Sequence, residues 1–322
     1  TLGEKHEDTL STQWWLGLAL YKEKKYEEAE KKLYECYKGR KETLGEKHED
    51  TLSAQWQFSM TLYKEKKYEE AEKKLYECYR GRKETLGEKH EDTLSAQWQL
   101  GMTLYKEKKY EEAEKKLYEC YKGRKEILGE KYEDTLSAQW WLGLALYKEK
   151  KYEEAEKRLY ECYKGRKETL GEKHEDTLDA QWQLGLALYK EKKYEEAEKM
   201  FYECYKGRKE TLGEKHEDTL CTQLWLGFTL NYEGKFEKAE RMLYECYEGR
   251  KEILGEKHVD TLYVQLWLGA NLYSEQKFEE AEKMLQECYE GRKEVLGEEH
   301  KDTLDAKRWL GIILKEKEKE KY

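Results

Sequence analysis

Apolar residues in Thr1–Glu42 fall at two runs of helical spacing separated by a short polar break. Leu10, Trp14, Leu16, Gly17, Leu20 and Tyr21 recur at helical intervals and predict a helix A that ends near Glu23. Asp8 or Thr9 is its expected N-cap, because a short side-chain oxygen can accept from the first free amides. Tyr26, Ala29, Leu33, Cys36, Tyr37 and Arg40 line one side of a predicted helix B from about Tyr26 to Glu42, with Lys24-Lys25 as a tight turn between the two. Glu27–Lys31 and Glu28–Lys32 stand at i,i+4 in the favourable order. Leu44-Gly45 stops helix B. Gly3 and Gly45 suit a left-handed residue past a helix end. Gly39 lies inside helix B at a cost of about 1 kcal/mol against alanine. Its recurrence in all seven full copies predicts close backbone approach or a slight bend.

The same pattern repeats every 42 residues without insertion or deletion: 1–42, 43–84, 85–126, 127–168, 169–210, 211–252 and 253–294, with a shortened copy at 295–322. Each hairpin has faces it cannot bury alone, and stacking buries them. The expected fold class is therefore all-α, a right-handed superhelical α-solenoid of stacked helix-turn-helix hairpins forming one array over 1–322. The last copy has helix A without helix B, and the polar tail Lys315–Tyr322 is read as a capping extension. The chain opens on Thr1 in mid-pattern and without Met, as a piece of a longer protein would.

Composition agrees with this reading. Charged residues are 41% and mean hydropathy is strongly negative, which alone would suggest disorder. The 28 Tyr and 10 Trp at fixed positions argue for order, and the lack of proline suits long helices. The net charge of −9 is uneven. The first four repeats are neutral, the next three sum to −2, −3 and −4, and the last piece to 0. No basic stripe invites nucleic acid, and no apolar run reaches the length of a membrane span.

The residues Leu16-Gly17, Leu20, Tyr26, Glu28-Ala29, Leu33 and Cys36-Tyr37 resemble the tetratricopeptide repeat, with Cys36 in a slot that usually holds alanine. The longer period and LGEKHEDTL (Leu2–Leu10) resemble the 42-residue kinesin light chain type, with Glu7 in place of the usual proline. The resemblance implies a concave face built from Ser11, Trp14, Leu18, Tyr21 and Lys22. The candidate peptide-binding residues are Trp14, Trp56, Trp98, Trp140 and Trp182, with Tyr21, Tyr63, Tyr105, Tyr147 and Tyr189, and the ammonium row Lys22, Lys64, Lys106, Lys148 and Lys190. An asparagine pair usual in that type is replaced here by Trp-Trp or Trp-Gln. Gln57, Gln99 and Gln183 are the candidates to take over part of its backbone contact.

Such a floor suits an extended protein or peptide segment with aromatic anchors and acidic residues, since Tyr and Trp give contact area at low entropy cost. Packing of helix A on helix A is the competing role for the same rings. The expected partner is thus a protein or peptide, with no nucleic acid and no membrane. Self-association through the uncapped first hairpin, exposing Trp14, Trp15 and Leu18, is a further expectation.

Seven cysteines occupy one repeat position, Cys36 to Cys288, and Cys221 stands apart. None has metal or disulfide spacing, so buried free thiols and a reducing, cytoplasmic compartment are expected. The histidine ladder His6, His48, His90, His174, His216, His258 and His300, with Tyr132 in the fourth copy, reads as loop packing or capping. No cofactor is expected. No phosphate loop, nucleophile elbow or HExxH is present, so an enzyme is not the expected function. The alternative to a binding scaffold is a spacer, or the sensor arm of a larger signalling protein.

Overall fold

A computed structural model describes residues 3 and 5–319. Thr1, Leu2 and Glu4 of the first connector, and Glu320–Tyr322 of the proposed cap, lie outside them. The described residues form fifteen α-helices and no strand. Helix A of the seven full copies is α1 (Glu7–Lys22), α3 (Glu49–Lys64), α5 (Glu91–Lys106), α7 (Glu133–Lys148), α9 (Glu175–Lys190), α11 (Glu217–Tyr232) and α13 (Val259–Ser274). Helix B is α2 (Tyr26–Leu44), α4 (Tyr68–Leu86), α6 (Tyr110–Leu128), α8 (Tyr152–Leu170), α10 (Tyr194–Leu212), α12 (Phe236–Leu254) and α14 (Phe278–Leu296). The shortened copy supplies α15 (Lys301–Lys319). The chain divides within α8 into two compact units, Thr1–Gly165 and Arg166–Tyr322. In each unit consecutive helices pack antiparallel in chain order.

Two small-to-large contacts hold each hairpin together. Gly39 of α2 faces Leu10 of α1, and a Cβ there would stand 2.3 Å from Leu10 Cδ2. Gly17 of α1 faces Leu33 of α2, where a Cβ would stand 2.6 Å from Leu33 Cγ. The recurring glycine of helix B therefore marks close approach rather than a bend. Leu33, Leu75, Leu117 and Leu159 are fully buried in the first unit, and Phe201, Leu243 and Leu285 take the same place in the second. Each recurring cysteine lies beside them, and Cys78 Sγ donates to the Leu52 carbonyl at 3.4 Å.

Helix boundaries differ from the sequence expectation at both ends. The N-cap is His6, not Asp8 or Thr9. Its Nδ1 accepts from the Asp8 amide at 3.3 Å, and His48 and His90 do the same for Asp50 and Asp92 at 3.2 Å. An imidazole reaches the amide two residues on, so the helix starts two residues before an Asp8 cap would begin it and three before a Thr9 cap would. Helix B runs two residues further, to Leu44, because termination is set by Gly45 alone. That glycine has φ 91°, ψ 164°, a mirror-extended conformation open only to glycine, rather than the left-handed helical one. The positive φ of the hairpin turn falls instead on Lys24, at 62°, with Gly234 at the same place in the sixth copy.

Tyr132 caps α7 with no side-chain bond. Tyr132→His is expected to raise the stability of the first unit by about 0.5–1 kcal/mol in urea unfolding, as a restored N-cap should. No gain would mean that the histidine nitrogens contribute nothing as acceptors.

Neither Glu27–Lys31 nor Glu28–Lys32 is paired in the first copy, but the first of these spacings is paired in the next two. Lys73 meets Glu69 and Lys115 meets Glu111 at 3.3 Å, the Glu27–Lys31 spacing. The next lysine turns the other way, Lys32 to Glu35 at 3.0 Å and Lys74 to Glu77 at 3.2 Å. Glu77 is already fixed there by Gln55 Nε2 at 2.9 Å, so it draws the ammonium.

Candidate interaction surface

Helix A places the predicted site residues in two layers. Trp14, Trp56, Trp98, Trp140 and Trp182 are half-buried, and so are Tyr21, Tyr63, Tyr105, Tyr147 and Tyr189. Lys22, Lys64, Lys106, Lys148 and Lys190, each the last residue of its helix, are exposed. Their backbone positions favour a cation, since the helix C-terminus carries partial negative charge. The four ammonium groups of the first unit, and Lys190 in the second, therefore stand outside half-buried rings.

Packing explains the half-burial. Each tyrosine lies edge-to-face against the first residue of helix B, Tyr63 on Tyr68 and Tyr105 on Tyr110, with ring centroids 5.4 Å apart. Burial pushes the phenols of Tyr63, Tyr105 and Tyr147 up to about 12. Four of these tryptophans, Trp14, Trp56, Trp98 and Trp182, lie under an arginine of their own helix B. The guanidinium carbon of Arg40 is 5.3 Å from the Trp14 ring, Arg82 is 5.7 Å from Trp56, Arg124 is 5.3 Å from Trp98, and Arg208 is 5.7 Å from Trp182. The same arginine reaches the next hairpin. Arg82 donates to the Asp92 carbonyl and Arg124 to the Asp134 carbonyl, both at 2.9 Å. It is a strut between successive hairpins, and the sequence reading saw only a residue on the helix B face.

The indole N–H groups of Trp56, Trp98 and Trp182 are buried without a described acceptor. These tryptophans therefore contribute ring contact rather than a hydrogen bond. Gln57 and Gln99 are buried and Gln183 is half-buried, so the first two amides are not presented at the surface.

At the open side of α1, Trp15 is 68% and Leu16 45% exposed, while Trp14 and Leu18 are half-buried. Leu16 is exposed because nothing described precedes it. In the second hairpin its counterpart Phe58 is buried against Tyr34 and Tyr37 of α2, with centroids 5.4 and 6.2 Å away.

Crevices open between successive helix B segments: 270 Å3 beside Tyr37, Leu52 and Tyr76, 410 Å3 beside Tyr79 and Leu94, and 650 Å3 beside Tyr205 and Tyr244. Another, of 660 Å3, lies at the hairpin turns beside Lys24, Tyr26, Glu65 and Lys67. Their charged groups already pair with one another, as Lys41 with Glu46 at 2.6 Å. An exposed tyrosine row on helix B, Tyr34, Tyr76, Tyr118, Tyr160, Tyr202 and Tyr244, also went unread in the sequence. Its signal was a tyrosine at the same place in six of seven copies.

The cysteines are free, and all but Cys221 are buried. Burial pushes the thiols of Cys120, Cys204 and Cys246 up to about 12. No cluster of three or more His, Cys, Asp or Glu suited to a metal ion occurs among the described residues. No described helix is long and apolar enough to cross a membrane.

Stacked two-helix units with a glycine–leucine contact inside each hairpin define a helical repeat protein. The tetratricopeptide repeat profile matches residues 8–84, 53–126, 134–210 and 218–292, and the chain belongs to that family. Among solved structures it is similar to the nearly identical TPR-like repeats of a putative kinesin light chain from Podosopora anserina, at 20% identity and TM-score 0.58. That match covers 63% of this chain and 96% of the other. It is also similar to BtubC (BKLC) from P. vanneervenii, at 18% identity and TM-score 0.56, covering 64% and 82%. The apo form of RapI aligns at 13% identity and TM-score 0.57, covering 84% and 98%. These likenesses concern the fold. No curated protein matches by sequence.

Proposed function

We propose that the chain is a protein-interaction scaffold whose helix A face, in the first unit, takes an extended acidic segment with aromatic or apolar anchors. The observation that supports it is the exposed ammonium row Lys22, Lys64, Lys106 and Lys148 standing beside half-buried Tyr and Trp rings. The pattern Trp182, Tyr189, Lys190 repeats in the second unit. Lysines in such a row steer carboxylates and lose that effect in salt, while the rings supply contact area. A second reading, a spacer with no ligand of its own, is favoured by the arginines over Trp14, Trp56, Trp98 and Trp182, which tie those rings into the stack.

The triple charge reversal Lys64→Glu, Lys106→Glu and Lys148→Glu separates the readings without replacing any ring of the floor. Fluorescence anisotropy with acidic aromatic peptides at low salt should show at least tenfold weaker binding by the variant. Equal binding of neutral or basic peptides to this face would overturn the acidic preference, and no binding by the unaltered chain would leave the spacer.

A further inference from the structure

The second unit carries a different aromatic surface in repeats six and seven, where the tryptophan position holds Leu224 and Leu266. Trp225, Phe228 and Tyr232 stand at i, i+3 and i+7 on α11, and Tyr263 and Trp267 at i and i+4 on α13. Their rings form a continuous run with Tyr189. Centroids are 5.3 Å apart for Tyr189–Trp225, 5.5 Å for Trp225–Phe228, 4.5 Å for Phe228–Trp267 and 6.5 Å for Tyr263–Trp267. Tyr232 also meets Tyr189 at 5.6 Å. Tyr232 is 52% exposed and Tyr263 41%, and both tryptophans are half-buried.

The earlier copies cover such rings with the chain's own ammonium groups. Lys106 Nζ lies 5.7 Å above Trp141, Lys148 5.9 Å above Tyr147, and Lys190 5.7 Å above Tyr189. That closing lysine of helix A is replaced by Tyr232 in α11 and Ser274 in α13, and neither helix has a basic residue in its last turn. Two residues on, a turn lysine becomes Gly234 and Gln276. No described lysine or arginine stands over Trp225, Tyr232, Tyr263 or Trp267. At the far side Arg308 is engaged by Asp305 at 3.0 Å. The sequence from Arg166 to Tyr322 also carries −8 of the net charge, leaving −1 for the first unit.

We propose that this face of repeats six and seven binds a basic peptide segment, its arginine or lysine side chains lying over rings that carry no described cation of the chain's own, on the faces not stacked against Tyr194 and Phe201. A ring face attracts a cation through its quadrupole, and an acidic unit raises the local concentration of cationic segments. The charge balance and the missing lysines select that occupant over an acidic or purely apolar one. The site is separate from the lysine row of the first unit and takes the opposite chemistry.

The test uses the full chain and fluorescein-labelled peptides in which Arg, Ser or Glu alternates with Gly. The Arg peptide should bind at least fivefold tighter than the Ser peptide, and the Glu peptide more weakly still. Tyr232→Lys with Ser274→Lys restores the closing lysine that five other copies carry, so the helices should be retained, which circular dichroism checks. This variant should lose at least fivefold in affinity for the Arg peptide. Tyr244→Lys with Gln286→Lys makes the same net-charge change on helix B and should lose less than twofold. Equal loss in both variants would reduce the effect to long-range charge, and no preference for Arg over Ser would remove the site altogether.

Discussion

Gly81→Val is expected to destabilise the first unit by about 1–3 kcal/mol, the range for overfilling a packed core. A Cβ on Gly81 would meet Leu52 Cδ2 at 2.5 Å. Leu52 is buried, and its carbonyl is held by the Cys78 thiol, so the side chain has little room to retreat. Alanine is the informative intermediate, because it gains about 1 kcal/mol of helix propensity against the same clash. The other glycine contact of the hairpin behaves differently. The second copy already has Ser59 where Gly17 stands in the first, and its hydroxyl donates to the Gln55 carbonyl at 2.6 Å. Gly101→Ser should therefore cost much less than Gly81→Val. Leu52→Ala should relieve part of the valine penalty, giving a coupling in a double-mutant cycle. Urea unfolding measures all five variants, the double one included. Equal cost at Gly81 and Gly101 would mean that close approach does not distinguish these positions.

Lys109→Met should destabilise by about 1–2 kcal/mol near neutral pH, a buried-pair effect reduced by the lysine's partial exposure. Lys109 Nζ bridges Glu72 of α4 at 2.5 Å and Glu107, the residue after α5, at 2.7 Å. Lys67 joins Glu30 and Glu65 in the same way one copy earlier, as does Lys235 with Glu198 and Glu233 in the second unit. Burial alone would push Glu72 up, but hydrogen bonds from Lys109 and Glu107 outweigh it and hold this carboxyl below its ordinary value. Burial pushes Glu107 up, with the Lys109 bond opposing and the Glu72 carboxylate adding.

The signs then differ. The lowered carboxyl of Glu72 stabilises above the ordinary carboxyl range, and that contribution is lost as pH falls through its folded value. The raised carboxyl of Glu107 stabilises below the ordinary range, and its contribution is lost as pH rises through its folded value. Removing the ammonium leaves two facing carboxylates, so the deficit should be largest near neutral pH. It should shrink toward about pH 4.5, where the pair holds a proton. Glu107→Gln added to Lys109→Met should restore most of the loss. A deficit independent of pH would show that only the packing of the lysine stem matters.

The repeat, the two helices and their buried faces were legible because each rests on spacing within 42 residues. The glycine of helix B was legible as an oddity, and coordinates turned it into a contact with Leu10. The lysine–glutamate triads were not legible, since Glu72 and Glu107 lie 35 residues apart and look like ordinary surface charge. The arginine strut was hidden for the same reason, because its two ends touch different hairpins. In the second unit, following the tryptophan position alone led to Leu224 and Leu266. The aromatic character had moved one residue along, to Trp225 and Trp267, and onto Tyr232.

The arginines over Trp14, Trp56 and Trp98 would also change what a ligand meets. An isolated indole is electron-rich on its faces and electron-poor at its rim. A guanidinium laid on one face cancels the negative lobe there, so Trp56 with Arg82, or Trp98 with Arg124, presents an outward field of the opposite sign to a bare ring. In the binding mode proposed for the first unit, carboxylates and backbone carbonyls would then be drawn to an aromatic floor that would otherwise repel them, whereas the rings of repeats six and seven that carry no described cation would keep their negative lobes.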